Sequence, residues 1–591
     1  MPRSEGMNSA GLGIGGRPRE RLPRRDPHQE SARMRNRSPW STALCSAALL
    51  SLLACNGKGE LTQESGSPPG SSETPSTGNP SVPGTPPTND DDDTTNPGTS
   101  EPPPVIVDIP DPTPQPEPQP QPQPEPEPPP EPEPVPQYSR ILWVAPNGSD
   151  SASATETAPL RTVTRALELV RPGEAIYLKT GTYAERLKLE EKGGSASNLL
   201  TLRAAPGAKP VLKPSGSGSA MVDVRGAYWS IEGLTIDAAG NASFAVLFRG
   251  VGSHHGVLRG STLKNGTAGA GVNVCEKASD VLIEGNTISH FNRNGDDSHG
   301  VVVQTTARNV VVRGNDIHHN SGDAVQCIGP EGGATISGAP FDNLLVENNE
   351  LHENRENGVD VKTCTRVTLR GNIIWGHKTS STSRGEGVVV HLSAKDVTLE
   401  DNVFYNNGRA ISIGGVRQGS PPTNIVIRRN LVRDGLGGGE EGSGIRVDTT
   451  SNVKVHHNTV WNMPGPCLTF GHGDTGASAS LDVRNNVFSG CGVAVRGGPG
   501  RSGAVVDANL YFRNSGSALF RLNGVDMGFS QWRSQSGLDG RSQEKAPGFV
   551  NIDTGDFRLG SGSPALNAGL SLGLTWCGPG PDQGAFESDC P

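Results

Sequence analysis

Aromatic residues make up only 4% of the 591-residue chain and hydrophobic residues only 33%, whereas Gly (78) and Pro (49) exceed ordinary usage. This composition argues against one compact globular domain. The formal net charge is -10, and no basic stripe with interleaved aromatic residues is present. Nucleic acid is therefore a poor candidate partner, and an acidic polymer would need a local basic or metal site.

The apolar run of residues 42–54 is too short to span a membrane. It follows the basic segment Met34-Arg35-Asn36-Arg37, so residues 1–55 are predicted to be an N-terminal extension plus a secretory signal. The run ends in Leu52-Leu53-Ala54-Cys55, which resembles the lipobox of bacterial lipoproteins; an ordinary signal with an incidental cysteine is the alternative. The resemblance implies an extracytoplasmic protein held at the outer membrane or cell surface by a lipid on Cys55.

Residues 56–137 are rich in Gly, Ser, Thr, Pro, Asp and Glu and have too little apolar content to bury a core. We expect a disordered linker. Its Pro-rich part, residues 102–136, favours extended polyproline II and would hold the ordered part away from a membrane.

Seven cysteines follow the linker, and an odd number leaves at least one thiol outside any disulfide. We expect disulfides between Cys467 and Cys491 and between Cys577 and Cys590. No cysteine spacing resembles that of a zinc site.

A short apolar alternation that ends in Asn recurs along the remaining chain. Examples are residues 281–288, 310–317, 367–374, 397–404, 425–432 and 453–460, and the Asn falls at positions 286, 315, 349, 372, 402, 430, 458 and 486. The copies are 23 to 34 residues apart. A β-propeller is the competing repeat fold, but its blades need about 40 residues each.

Short strands with period-two alternation, separated by Gly and Asn turns, predict coils that stack parallel strands along one axis. The fold class is therefore all-β, a right-handed parallel β-helix of about ten or more coils whose Asn residues form an internal ladder. We expect an N-terminal cap with an amphipathic helix and the first coils at 138–220, the β-helix at 221–515, and a C-terminal coil and cap at 516–591. We expect a monomer.

Two terminal patterns resemble the pectate-lyase-like superfamily of secreted bacterial β-helix proteins. The opening pattern is Trp143-Val144-Ala145-Pro146-Asn147-Gly148-Ser149-Asp150 with Gly181-Thr182-Tyr183, and the closing pattern is Gly555-Asp556-Phe557-Arg558-Leu559 with Gly562-Ser563-Pro564-Ala565. The resemblance covers nearly all of residues 138–591. It implies a carbohydrate-directed protein, although the superfamily holds lyases, hydrolases, epimerases and non-catalytic surface proteins.

Each coil has a second strand that begins with Gly or Ala and carries outward residues. Aligning these strands gives one outward column of Asn273, Val302, Gln326, Asp360, Val389, Ser412 and Arg446, and a second of Cys275, Gln304, Ile328, Lys362, His391, Gly414 and Asp448. Residues two apart on a strand are about 6.5–7 Å apart and coils are about 4.8 Å apart. Asp360, Lys362 and His391 should therefore form one patch, bordered by Gln304 and Gln326.

The turns that lead into these strands supply a charged rim. It comprises Asp296, Asp297, His299, Asp323, Glu356, Arg384 and Glu386. A solvated surface ion pair is the alternative interpretation of Lys362 and Asp360, because outward pairs of that kind are common. The His254-His255, His318-His319 and His456-His457 doublets follow the Asn turns and are expected to be structural.

A uronate lyase must neutralise the sugar carboxylate and remove the proton on the carbon alpha to it. The pair Asp296-Asp297 resembles an Asp-Asp element of calcium-dependent polysaccharide lyase family nine. That resemblance implies calcium held among Asp296, Asp297, Asp323, Glu356 and Asp360, with Lys362 as the base and Arg384 or His391 assisting. Gln304, Gln326 and Glu386 are the predicted substrate contacts.

The lysine can act as a base only if its pKa falls well below about 10.4. Asp360 alone would raise it, so this mechanism requires a cation on the acidic groups. Two alternatives stay open. One is a non-catalytic glycan-binding or adhesive surface protein, and the other is a hydrolase or epimerase, for which Asp360 and Asp323 are a candidate carboxylate pair.

Overall fold

A computed structural model describes residues 137–590 except 191, 240–241, 295, 330–337, 415–419, 438–441, 472–477 and 589. The predicted signal, Cys55 and residues 56–136 of the linker lie outside the described residues. No described helix is both long and apolar enough to cross a membrane.

The chain winds through three sheets of 14 strands each, which we name sheets A, B and C in the order in which one coil visits them. Sheet A comprises Ile141–Val144, Ala175–Leu178, Leu200–Ala204, Trp229–Glu232, Val257–Arg259, Ser279–Glu284, Arg308–Arg313, Asp342–Glu347, Thr365–Arg370, Lys395–Glu400, Thr423–Arg428, Thr450–His456, Ser478–Arg484 and Val505–Asp507. Sheet B comprises Gly181–Ala184, Pro210–Lys213, Thr235–Asp237, Thr262–Lys264, Thr287–Ser289, Asp316–His318, Glu350–His352, Ile373–Trp375, Val403–Tyr405, Leu431–Arg433, Thr459–Trp461, Val487–Ser489, Leu510–Phe512 and Gln543–Glu544.

Sheet C carries the candidate site. Its strands are Leu187–Leu189, Ala220–Val224, Phe244–Arg249, Gly269–Cys275, Ser298–Gln304, Val325–Ile328, Val359–Lys362, Glu386–His391, Arg409–Ile413, Ile445–Val447, Pro466–Phe470, Val493–Gly497, Phe520–Leu522 and Val525–Met527. The strands within each sheet are parallel except the last pair of sheet C. The predicted right-handed parallel β-helix is thus confirmed.

Apolar residues at every second strand position fill the bore. Val312, Ile317 and Val325, for example, come from the three strands of one coil and are 0% exposed. No single coil could bury these side chains, so stacking of the coils supplies the stability of the fold.

The repeated Asn forms the expected ladder in the turn between sheets A and B. Oδ1 of Asn315 accepts hydrogen bonds from the backbone N–H and Nδ2 of Asn286, at 2.9 and 3.0 Å, and Nδ2 of Asn315 donates to the Ile283 carbonyl. The same pattern continues to Asn509. Each amide satisfies backbone groups that would otherwise be buried without partners.

A second ladder, which the sequence analysis did not predict, lies in the turn between sheets B and C. Asn354 accepts from the backbone N–H and Nδ2 of Asn320, and His377 and Asn407 continue the row. Burial lowers the pKa of His377 to about 4, so this histidine is a neutral member of the ladder.

Both ends of the solenoid are covered. Helix α1 (Val163–Leu169) buries Val163 and Ala166 against the first coil, as predicted. The C-terminal end carries helix α2 (Phe529–Ser536), which the sequence analysis missed and which stacks Trp532 on Phe520. A 3-10 helix (Ile552–Thr554) and a two-stranded sheet (Phe549–Asn551 with Asp556–Leu559) follow.

Cysteine pairing includes one disulfide that was not foreseen. The structure joins Cys467 to Cys491 and Cys577 to Cys590, the two pairs that the sequence analysis expected, and also Cys327 to Cys364. The third bond links Cys327, in strand Val325–Ile328 of sheet C, to Cys364, in the turn that leads from sheet C to sheet A in the next coil. The remaining described cysteine, Cys275, keeps its thiol and is buried.

Candidate functional site

The candidate site lies on the outer face of sheet C, where the strand register matches the columns derived from the sequence. Gln326 pairs with Asp360, Asp360 with Val389, and Lys362 with His391. Side chains alternate between the faces of a strand, so Asp360, Lys362 and His391 point away from the bore while Val359 and Val361 fill it.

These three residues form one hydrogen-bonded cluster, here called the Asp360 triad. Nζ of Lys362 lies 2.9 Å from Asp360 Oδ2, and Nε2 of His391 lies 2.7 Å from Asp360 Oδ1. The side chains of Asp360 and His391 are 6% and 5% exposed, and that of Lys362 is 18% exposed. The ion pair between Lys362 and Asp360 is therefore not the solvated surface contact of the alternative interpretation. Lys362 is the most exposed member of the triad.

The charge state of the triad follows from its contacts. Burial lowers the pKa of Lys362, but the negative charges of Asp360 and, to a smaller extent, Asp323 outweigh it, so the pKa of this amine is raised. Burial likewise opposes ionisation of Asp360, yet Lys362 and His391 hold the pKa of that carboxyl well below its usual value. The unliganded site therefore holds an ammonium ion on a carboxylate and lacks the lowered lysine pKa that a base requires.

His391 is fixed in one tautomer. A carboxylate oxygen only accepts, so Nε2 carries the hydrogen that faces Asp360. Its Nδ1 is buried and has no hydrogen-bond partner among the described residues. A buried ring nitrogen without a protein partner is open to a water molecule or to a substrate group.

Asp323 is a completely buried carboxylate beside the triad. Its oxygens accept from Nε2 of Gln326 (3.1 Å) and from the backbone N–H and Nδ2 of Asn357 (3.1 and 2.8 Å), and its own N–H donates to Nδ1 of His299. Asp323 is 0% exposed, so protein groups enclose it in this structure. The suggested hydrolytic pair of Asp323 and Asp360 stays a prediction.

The acidic rim is neutralised by protein groups. Asp296 pairs with Arg293 at 3.0 Å, and Asp297 forms a short ion pair with Arg355. Burial raises the pKa of Glu356 to about 8, and the neighbouring Asp323 and Asp297 add to the effect. Glu356 is thus mostly protonated at neutral pH.

The five carboxylates do not fit a calcium ion as they stand. Calcium needs six to eight converging oxygens. In the described part of the chain, the groups of three or more His, Cys, Asp or Glu ligands with all ligand atoms within 4.8 Å lie elsewhere and include none of these five residues. No chemical step below depends on calcium, and its binding stays a prediction.

Arg384 and Glu386, two further predicted site residues, lie at the start of the strand that carries His391. Arg384 is half-buried in the turn before strand Glu386–His391, and its backbone N–H donates to Glu386. Glu386 also accepts from Ser383 and faces Arg409 at 3.5 Å, so it braces this turn. Its predicted role as a substrate contact has no support in these bonds.

Gln304 and Gln326 lie on the preceding coils. They line a shallow pocket together with Phe244, Gly269, His299, Val302 and Ile328. The outward residues of these earlier coils are apolar and pack on one another, namely Ala220, Phe244, Leu247, Ala270, Cys275, Val302 and Ile328. These side chains are 0–9% exposed, so they form a small buried apolar cluster on the outer side of sheet C.

Two models of protein families match the chain. One is described as Pel9A-like, right handed beta helix region and matches residues 142–413, and the other as right handed beta helix region and matches residues 380–530. The chain is a right-handed parallel β-helix, and parts of it are similar to these two families.

Curated relatives include two pectate lyases. A 72-residue stretch is 36% identical to pectate lyase PEL9 of Emericella nidulans and covers 12% of this chain and 18% of that protein. A 167-residue stretch is 30% identical to pectate lyase L of Paenibacillus polymyxa and covers 26% of this chain and 36% of that protein. The matches thus span about a fifth and about a third of these enzymes. An uncharacterized Bacillus subtilis protein, YwoF, is 23% identical over 465 residues, which are 72% of this chain and 92% of that protein.

Solved structures with the same architecture include pectate lyase Pel9A, at 19% identity and a TM-score of 0.41, covering 76% of this chain and 97% of that one. A mannuronic acid specific family 6 lyase from human gut microbiota has 16% identity and a TM-score of 0.46, covering 70% and 93%. A lacto-N-biosidase from Eubacterium ramulus, a glycosidase, has 13% identity and a TM-score of 0.38, covering 68% of each chain.

Sequence reasoning missed the partners that fix the rim. Arg355 and Asn357 lie in the turn that leads to Asp360, and each binds a carboxylate of an earlier coil. The signal that could have found them is their place in the repeat, because turn residues of successive coils face each other as strand residues do.

Proposed function

We propose that the protein is a polysaccharide lyase that cleaves a uronate-containing polysaccharide by β-elimination at the Asp360 triad. The observation that carries the proposal is the sharing of one buried carboxylate by a partly exposed lysine and a histidine with an unpartnered nitrogen. The matches to pectate lyases support the same reaction class.

Lys362 neutralises the carboxylate of the bound uronate. Its raised pKa keeps it as an ammonium ion at neutral pH, and it is the triad member that reaches solvent most. A positive charge at the sugar carboxylate stabilises the enolate-like species that forms when the neighbouring carbon loses its proton. The lysine thus takes over the task that the sequence analysis gave to calcium.

His391 takes the proton. Asp360 fixes the Nε2–H tautomer, which leaves the lone pair on Nδ1 for the substrate. This is the arrangement in which a carboxylate orients a histidine base. Catalytic contacts are often incomplete in an unliganded site, so burial of Nδ1 does not exclude the role. The bond between the next carbon and the glycosidic oxygen then breaks to leave the unsaturated sugar, the departing oxygen takes a proton from water, and Arg384 is proposed to stabilise its negative charge.

The sheet around the triad supplies the binding surface. The amides of Gln304 and Gln326, which line the shallow pocket on the preceding coils, offer hydrogen-bonding contacts to a sugar chain. The predicted lipid on Cys55 and the linker of residues 56–137 would hold this surface at the cell envelope. An acidic polysaccharide is then the partner, and the protein acts as a monomer.

The test incubates the purified protein with pectic, alginate and glycosaminoglycan polymers and follows the near-ultraviolet absorbance of the unsaturated product. Lys362→Arg keeps a positive charge that cannot accept a proton, whereas Lys362→Ala removes it. We expect Lys362→Arg to retain measurable turnover and Lys362→Ala to lose about a hundredfold or more. Lys395→Ala, at an exposed lysine on sheet A, is the matched control.

The alternatives give different results. If Lys362 is the base, Lys362→Arg is as inactive as Lys362→Ala. Activity that disappears with a chelator and returns with calcium would reinstate the calcium site. Binding of a polymer without any product would favour the non-catalytic surface protein and overturn the proposal.

A hydrolase is the second candidate, and Glu356 is the observation that favours it. A carboxyl with a pKa near 8 beside ionised carboxylates is the condition that makes a general acid at neutral pH. Hydrolysis would give new reducing ends without absorbance, and Glu356→Gln would abolish it. The lyase proposal expects Glu356→Gln to keep its turnover.

A further inference from the structure

We propose that Asp316, His318 and His352 bind a divalent transition-metal ion of the zinc class on the outer face of sheet B. This site is separate from the Asp360 triad. It goes beyond the proposed lyase activity and does not depend on it.

The backbone brings the three side chains together. Asp316 and His318 are two residues apart on strand Asp316–His318, so they share a face. His352 ends the next strand and pairs directly with His318 in the parallel register. The intervening Ile317 and Leu351 are buried in the bore, which fixes the other side chains outward.

The ligand atoms already converge. Nε2 of His352 lies 3.0 Å from Asp316 Oδ1, and Nε2 of His318 lies 3.9 Å from Asp316 Oδ2. One ligand atom from each residue lies within 4.8 Å of the others. Tetrahedral zinc with bonds of about 2.0–2.2 Å needs donors about 3.3 Å apart. The separation between Asp316 and His352 is already close to this value, and the wider separations would have to shorten by up to about 1.5 Å.

The second nitrogen of each histidine is held by a protein group. Nδ1 of His352 lies 3.2 Å from Glu353 Oε2, and Nδ1 of His318 lies 2.7 Å from Nδ1 of His319. Metal-binding histidines usually donate their other N–H to such a partner, which fixes the tautomer and the ring orientation. The ring of His352 also stacks on Trp375, with centroids 4.4 Å apart and 3° between the planes.

The contacts of His352 can accommodate a metal ion. Both of its nitrogens face carboxylate oxygens, and the oxygen of Asp316 can share a metal ion with Nε2 in place of a hydrogen bond. A metal ion on Nε2 leaves the Nδ1–H to donate to Glu353. Two imidazoles with one carboxylate suit zinc, nickel or copper, whereas calcium prefers oxygen ligands alone.

A second set, formed by His319, His352 and Glu353, also brings its ligand atoms within 4.8 Å. It would use Nδ1 of His352 instead of Nε2, and a neutral imidazole has only one lone pair to give. One ion per chain is therefore expected. With a metal ion in the first set, each histidine ligand still has a hydrogen-bond partner for its other nitrogen. In the second set, Glu353 and His319 would themselves be ligands and could not serve as those partners.

The experiment titrates zinc chloride and, separately, calcium chloride into the full chain, which carries no added histidine tag, by calorimetry. We expect one zinc ion per chain and no calcium binding at these residues. Asp316→Asn and His352→Gln should each weaken zinc binding at least tenfold. Asp316 is 46% exposed, so its substitution preserves the fold, and thermal unfolding of each variant checks this.

The matched control is His254→Gln. His254 and His255 form a doublet with the same close ring contact, Nδ1 to Nδ1 at 2.8 Å, but they are in none of the clustered ligand sets among the described residues. Zinc affinity should be unchanged in this variant. The proposal is overturned by a wild-type chain that binds no zinc, by equal affinity in Asp316→Asn, or by binding that His319→Gln abolishes and Asp316→Asn leaves intact.

Discussion

The Asn ladder between sheets A and B makes a quantitative prediction at Asn372. Its side chain is 0% exposed and makes four hydrogen bonds. Oδ1 accepts from the N–H and Nδ2 of Asn349 at 3.0 and 2.9 Å, and Nδ2 donates to the Val346 carbonyl and to Asn402 at 2.8 and 2.9 Å. Asn372→Ala removes all four bonds.

The expected loss follows from these bonds. At about 1 kcal/mol for each buried hydrogen bond, the cost is about 4 kcal/mol, which corresponds to about a thousandfold change in the local opening equilibrium. The variant also leaves the buried N–H of Asn349 without an acceptor, so the loss of stability should not be smaller than this value. Asn198→Ala is the control, because Asn198 is exposed and its side chain makes one bond, to Ser197.

Hydrogen exchange followed by mass spectrometry is the suitable assay, because a solenoid opens locally and its unfolding need not be two-state. Peptides that span residues 345–375 should exchange about a thousandfold faster in Asn372→Ala, and distant coils should be unaffected. A change below tenfold, or one equal to that of Asn198→Ala, would refute the view that the ladder amides stabilise adjacent coils through buried bonds.

Two further predictions concern the coils of the site. The folded-state pKa of Glu356 is raised to about 8. The stability that this group contributes is therefore present below about pH 4.5 and is lost as the pH rises to 8. In urea titrations, the unfolding free energy of Glu356→Gln should increase relative to that of the wild type by about 1–3 kcal/mol between pH 5 and pH 8. Removing the Cys327–Cys364 bond with a Cys327→Ala, Cys364→Ala double variant should cost about 3–4 kcal/mol for a 37-residue separation, whereas an unchanged melting temperature would contradict this.

The fold was predictable because its periodicity is local and repeated. One coil with Val, Ile and Leu at alternate positions is weak evidence, but copies that end in the same Asn leave few architectures open. The second ladder escaped notice because its members differ in type: His377 occupies a place that Asn354 and Asn407 fill in neighbouring coils. A search for one repeated residue type cannot find a ladder whose members are different residues that share only the ability to form hydrogen bonds.

The candidate site was predictable to the extent that strand register determined it. Asp360, Lys362 and His391 came together because parallel strands convert a sequence alignment of coils into a spatial column. The rim carboxylates do not lie around one point, because turn side chains can reach partners in other coils. Asp297 pairs with Arg355, two coils further along, and Asp323 accepts from Asn357 of the next coil. The histidine cluster of sheet B was not predicted for another reason, because His318 and His352 lie on strands and not in turns. The doublet His318-His319 was interpreted as structural because the sequence does not reveal that His352, 34 residues after His318, lies directly beside it.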